Sequence, residues 1–207
     1  MQFLPTENGN YNGNYKVFAG FWTRALAVLI DILVVTPVVL VSCYLLTWSI
    51  TAELFGLVIL STLFFAYIIY FHYRFGATIG KMVLKIKVTN PNGTAINLKQ
   101  AMLRSSVDIG FAALLVTAFF IGLSGANPQV YLALSWMERV EYLVPLYPSW
   151  YELVASRYLI WIFSEGFFLL INKRKRAIHD FIAGTVVINR EFAGKGDQAG
   201  HLILTID

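Results

Sequence analysis

Two long apolar runs dominate the first third of the chain. Ala25 to Leu46 carries one charged side chain, Asp31, and Leu54 to Tyr73 carries only His72, near its end. A helix needs roughly 18–20 such residues to cross a hydrocarbon core about 30 Å thick, and each run is long enough. Two less pure runs follow, Ser105–Leu123 with Asp108 inside it and Tyr151–Ile171 with Glu165. The pattern predicts an all-α membrane protein, a four-transmembrane-helix bundle with helices at about 21–48, 54–73, 105–123 and 151–171. Trp22 and Trp48 bracket the first of these, as interfacial aromatics do.

Between the second and third spans the period changes. Leu84, Ile86 and Val88 alternate with Val83, Lys85 and Lys87, which is a strand pattern. Asn90-Pro91-Asn92-Gly93 supplies a turn, with Asn-Gly suited to positive φ. Thr94–Leu98 reads as a second short strand, and the β-branched run from Gly184 to Asn189 is able to pair with the first. These pieces predict a small sheet against one membrane face. The segment 130–144 mixes Tyr, Leu, Trp and Met with Glu138, Arg139 and Glu141, and reads as an amphipathic interfacial helix.

Charge then orients the spans. The loop 74–104 contains Arg74, Lys81, Lys85, Lys87, Lys99 and Arg104, and the segment after Ile171 opens with Lys173, Arg174, Lys175 and Arg176. The 47–53 hairpin has no basic residue, and 124–150 has only Arg139. Short basic loops stay in the cytoplasm, so both termini and the sheet are expected there, with 130–144 outside. The domains expected are a polar cytoplasmic N-terminus over 1–16, a transmembrane domain over 17–190 and a tail over 191–207, poorly ordered from Ala193. Met1 to Asn14 lacks the pattern of a secretory signal.

Composition agrees with this reading. Mean hydropathy is +0.64 and 14% of residues are charged, against about 25% in soluble domains. The single cysteine, Cys43, permits no internal disulfide and reads as packing.

The costly residues inside the spans include Arg24, Asp31, Asp108 and Glu165. Each costs about 2.5–3.5 kcal/mol near a helix centre on insertion scales. Arg24 and Asp31 share a helix face about 10 Å apart, too far for a direct ion pair, so each should meet a group on another element. Asp108, Glu165 and Asp180 are the candidates for Arg24. If all cluster, three carboxylates face one arginine, and the surplus must bind a proton, a cation or water. The alternative is that the charges only fix helix packing. Thr36-Pro37 predicts a kink in the first helix.

These residues also carry a resemblance. Ala19-Gly20-Phe21-Trp22-Thr23-Arg24 through Asp31 resembles the opening of RDD family membrane proteins, named for an arginine and two aspartates. Gly76-Ala77-Thr78-Ile79-Gly80-Lys81 resembles the family's loop motif, with Ile79 where relatives often have proline. Arg176-Ala177-Ile178-His179-Asp180 through Thr185 resembles its closing motif. The resemblance implies that Arg24, Asp31 and Asp180 are the named residues and that the chain sits in a prokaryotic plasma (inner) membrane. Some members are reported as sodium/proton-type antiporters, and most have no defined role. Asp108, Glu165 and the long outer loop lie outside the motif.

Other chemistry is weak. Gly76–Met82 is one residue short of a phosphate-binding loop, and Met82 replaces its Ser/Thr, so Gly76 and Gly80 read as turn residues with Lys81 at the headgroups. Lys173–Arg176 reads first as a topology signal and second as a lipid contact. His179-Asp180 lacks companions for a metal site, His72 and His201 have no obvious partners, and no serine has a histidine base. No enzyme activity, cofactor, metal or nucleic-acid partner is expected. Two functions remain. One is a homo-oligomeric transporter of monovalent cations or protons, with the ion on Asp31, Arg24 balancing charge, Asp180 at the mouth and Asp108 or Glu165 accessory. The other is a non-transporting module that binds a partner protein or lipid through its cytoplasmic face.

Overall fold

A computed structural model describes residues 17–46 and 48–193. Four long helices account for most of it: α1 (Phe21–Leu46), α2 (Ile50–Phe75), α4 (Leu98–Ser124) and α7 (Tyr151–Ile171). Between them lie α3 (Ile79–Val83), β1 (Ile86–Thr89), α5 (Pro128–Ala133) and α6 (Trp136–Leu143), and α8 (Ile178–Ile182) and β2 (Val186–Asn189) follow. All four long helices are long and apolar enough to cross a membrane, with mean hydropathy falling from 2.6 to 2.3, 2.0 and 1.5 in chain order. Leu33, Leu40, Phe55, Leu63 and Phe163 turn their side chains outward, as a lipid-facing helix requires.

Several boundaries differ from the sequence expectation. The third long helix starts at Leu98, seven residues before Ser105, because Asn97 and Gln100 close its first turn reciprocally: each backbone N–H donates to the other's side-chain oxygen, at 3.0 and 2.8 Å. Thr94–Asn97 is therefore irregular chain leading into the helix that starts at Leu98, not a strand. Val83 belongs to α3, so the strand begins only at Ile86. The helix expected over 130–144 is two helices. Asn127 caps the first by accepting from Gln129 N and Val130 N, and Glu138 opens the second by accepting from the N–H and hydroxyl of Ser135. Helix α1 continues through Pro37. The first 16 residues, the tail from Gly194 with His201, and the Cys43 side chain lie outside the described parts.

The chain divides into two compact units, and each long helix gives one end to each. Unit 1 comprises residues up to Leu33, Tyr67–Val107 and residues from Ile162; unit 2 comprises Val34–Ala66 and Asp108–Trp161. In unit 1, β1 and β2 pair antiparallel with Ile86 opposite Asn189 and Thr89 opposite Val186. The stretch before α1 lies along β2, where Ala19 N donates to Val187 O at 3.0 Å and Asn189 N to Val17 O at 2.9 Å. Ala19, Ala27, Ile86, Val88, Ile96, Ala101 and Val187 form its core. Ala27 and Ala101 lie on helices, and their small side chains let the β-branched strand residues approach closely. Unit 2 is centred on Leu123, Tyr131 and Leu143.

A candidate functional site around Asp180

Asp180 is the centre of the polar network in unit 1. It sits on the short helix α8 and is fully enclosed. Its Oδ2 accepts from Arg24 Nη1 at 2.6 Å and from the Ala177 backbone N–H at 3.0 Å. Its Oδ1 accepts from Arg104 Nη1, which also donates to Thr185 Oγ1 at 2.6 Å. The backbone carbonyl of Asp180 accepts from Arg176 Nη2 at 3.1 Å and Thr185 N at 2.8 Å. Burial by itself would push the carboxyl up. Arg104 and Arg24, with His179 adding to them, outweigh it and hold Asp180 well below the usual carboxylate range. The group is an ionised acid clamped by two guanidiniums.

Arg24 reaches Asp180 from α1 and anchors two other segments. Its Nε donates to Ala19 O at 3.2 Å, and its Nη2 donates to the carbonyl of Lys175. Lys175 has φ of 49°, a left-handed conformation that non-glycine residues adopt rarely. One arginine thus ties the start of the first long helix to the segment that follows the last one.

Asp31, seven residues further along α1, holds a different piece of chain. Its Oδ2 accepts from Thr78 Oγ1 at 2.6 Å and its Oδ1 from Gly80 N at 2.7 Å. A Cβ at Gly80 would lie 2.0 Å from the Ala27 carbonyl oxygen and 3.0 Å from Asp31 Cγ, so glycine is needed for the contact. Tyr67 Oη accepts from Ile79 N at 3.2 Å and fixes the same turn. Gly76, with φ of 71°, makes the turn out of α2.

Lys81 does not point to headgroups. Its Nζ lies 2.8 Å from Nε2 of the buried His72, whose Nδ1 is 2.9 Å from the Ile68 carbonyl. A carbonyl can only accept, so Nδ1 carries the proton and Nε2 accepts from Lys81. His72 therefore has two partners, contrary to the sequence reading, because a helical carbonyl and a loop lysine are not visible as pairs along the chain. Glu165 takes His179: Oε1 accepts from His179 N at 2.9 Å, and Oε2 pairs with Nδ1. His179 Nε2 is 3.6 Å from Asp180 Oδ1, which places Glu165, His179 and Asp180 in a row.

Asp108 belongs to unit 2, where its Oδ1 accepts from Trp161 Nε1 at 3.0 Å. Within the basic run 173–176, Arg176 turns inward over the Phe181 ring at 4.2 Å, and Lys175 Nζ donates to Leu170 O at 3.1 Å. Lys173 is exposed and Arg174 half-buried.

The excess of carboxylates expected from the sequence is thereby removed. Arg104 supplies a second cation, Glu165 has a histidine, and Asp31 and Asp108 have neutral donors. The sequence pattern starts the third span at Ser105 and so leaves Arg104 in the loop. With α4 starting at Leu98, Arg104 lies nearly two turns inside a helix and is buried. A usable signal existed in Ala101, Arg104 and Ser105, which recur at helical spacing and are all buried.

Four apolar helices, with a buried charge cluster where one set of their ends meets short connecting elements, define an integral membrane protein of several spans. The pattern of the RDD family, a family of membrane proteins, matches residues 18–184, and the chain belongs to that family. No curated protein and no solved structure matches it.

Proposed function

We propose that the chain is a non-transporting membrane module. Its helices hold a rigid, sheet-bearing unit at one face of the bilayer, where a partner protein or lipid engages the unit's basic rim. The observation that carries this reading is the complete engagement of Asp180 by Arg24 and Arg104. A carboxylate held below its ordinary range by two buried arginines cannot exchange protons near neutral pH. Asp31 likewise holds the α3 turn through both of its oxygens. The density of Lys and Arg in 74–104 and 173–176 supports a cytoplasmic position for this unit and for both termini, and the family resemblance supports a prokaryotic plasma membrane. No role as an enzyme enters this reading.

One observation favours the second reading, a homo-oligomeric carrier of monovalent cations or protons. The oxygens of Asp31 accept from a hydroxyl and a backbone amide, and no basic group among the described residues lies within ion-pair distance. A cation arriving at such a carboxylate has no buried guanidinium to displace, as it would at Asp180. The loop residue next to Gly80 is Lys81, hydrogen-bonded to His72. In this reading Asp31 binds the ion, and Arg24 and Asp180 fix the helix ends around it.

Proteoliposomes containing a pH dye separate the two. Sodium, lithium and potassium are added in turn to wild type and to Asp31→Asn. The module reading expects no cation-dependent pH change from correctly inserted protein. A change in wild type that Asp31→Asn abolishes would overturn it and establish the carrier.

A further inference from the structure

We infer that unit 1 carries a binding pocket for the phosphate of an anionic phospholipid headgroup, formed by Arg74, Lys87 and Arg190. The three side chains line one cavity of about 210 Å³, together with Phe75, Met82 and Ile86. They come from three separate elements. Arg74 is the penultimate residue of α2, Lys87 lies on β1, and Arg190 directly follows β2.

Local geometry brings them together. A Cβ on Gly76 would meet Lys87 Cγ at 2.9 Å, Lys87 Cε at 2.8 Å and Val88 O at 2.8 Å, so the Lys87 stem lies flat across the turn that ends α2. Val88 N donates to Gly76 O at 2.7 Å and fixes that approach. Lys85, at φ of 55°, presents its carbonyl to Arg190 N at 2.8 Å and holds Arg190 at the same end of the sheet. Glycine at 76 and the left-handed Lys85 are what place the cations in one pocket.

The electrostatics call for an anion. No acidic residue lines the cavity, and none of the three cations forms an ion pair among the described residues. Three basic groups without an acid repel one another, and a phosphate, with several acceptor oxygens, relieves that repulsion. Position selects the source. Arg74 and Phe75 end an apolar helix of 26 residues, which puts the pocket at the level where a spanning helix leaves hydrocarbon. Phe75 is 44% exposed beside the cations, an apolar surface suited to the glycerol and upper acyl chain. A soluble phosphate has no use for it.

This inference deepens the module reading by naming a ligand. A carrier could bear the same pocket, so its failure and a positive flux assay are separate results. The test reconstitutes full-length protein in nanodiscs of phosphatidylcholine containing a minor fraction of phosphatidylglycerol, then counts retained lipids by native mass spectrometry after gentle detergent release. Wild type is expected to retain phosphatidylglycerol about 5-fold or more above its share of the nanodisc. The triple variant Arg74→Gln, Lys87→Gln, Arg190→Gln should fall to that share. A control variant Lys99→Gln, Lys173→Gln, Lys195→Gln removes the same charge elsewhere and should keep the enrichment. Equal losses in both variants would reduce the effect to net charge and overturn the site, as would undiminished retention in the triple variant. Complete displacement by millimolar inorganic phosphate would assign the pocket to a soluble anion and overturn the lipid. If the triple variant fails to fold, Arg190→Gln alone replaces it, with at least a 2-fold loss expected and no loss overturning the inference.

Discussion

Each unit holds an acid at a helix end, buried in unit 1 and half-buried in unit 2, and the two treat it differently. In unit 1, Asp180 has two arginines, a backbone amide and a threonine hydroxyl around its carboxylate. In unit 2, Glu53, in the first turn of α2, accepts from Tyr131 Oη at 2.9 Å and has Arg139 no nearer than 3.9 Å. Arg139 commits its other nitrogens to the carbonyls of Leu132 and Leu134, both at 3.1 Å, and stacks 5.0 Å from the Tyr131 ring. Burial and Glu53 push the Tyr131 phenol up, so it stays a donor. The first arrangement is a charge lock; the second is an aromatic core with a polar tie. Removing one partner should therefore damage unit 1 much more than unit 2.

The largest effect is expected from Asp180→Ala. It leaves Arg24 and Arg104 buried without their acid, a class of change that costs about 3–5 kcal/mol. The variant should accumulate poorly and lose its folded population in detergent, measured by size exclusion and thermal unfolding. Unchanged thermal stability would remove the lock from the argument. Next comes Gly80→Ala, whose Cβ would meet a backbone carbonyl at 2.0 Å. Overpacking of this kind costs about 1–3 kcal/mol, and protease nicking between 76 and 84 should rise, because the loop must lift from α1.

Tyr131→Phe sharpens the contrast from the other side. It removes one hydrogen bond and keeps the ring, so a loss of about 1 kcal/mol is expected in the same unfolding assay. The smallest effect is a dependence on acid. The Asp180 carboxyl is depressed in the folded state, so its contribution is present above the unfolded value of about 3.9 and is lost as pH falls through the folded value. Wild type should keep this contribution down to about pH 4 and lose it below. In Asp180→Asn that part of the acid dependence should disappear, leaving a flatter profile below about pH 4.

The four spans were legible because run length and hydropathy are properties of contiguous sequence. The β1–β2 pairing was legible for a similar reason: a β-branched run has few other uses beside a short alternating strand. The site was legible in part. Arg24 is legible as a charge inside a span and Asp180 as one of its candidate partners, and the motif resemblance names both, whereas Arg104 is hidden by a helix boundary set seven residues too late. Burial of a charged residue in the first turns of a span depends on what packs over it, here α8 and Thr185, which lie over 70 residues away in the chain. The break between α5 and α6 was missed because capping by Asn127, Ser135 and Glu138 is a local signal that the broader apolar pattern obscured.

The distance along the chain between Arg24 and Asp180, 156 residues, gives the lock a role in time as well as in space. At about 5–20 residues per second, synthesis takes roughly 8–30 s to deliver the aspartate after the arginine. Throughout that interval the first helix carries an uncompensated guanidinium, and only a nascent chain that has emerged past its last span can neutralise it. A polypeptide cut short before residue 180 lacks this acid partner for Arg24 altogether.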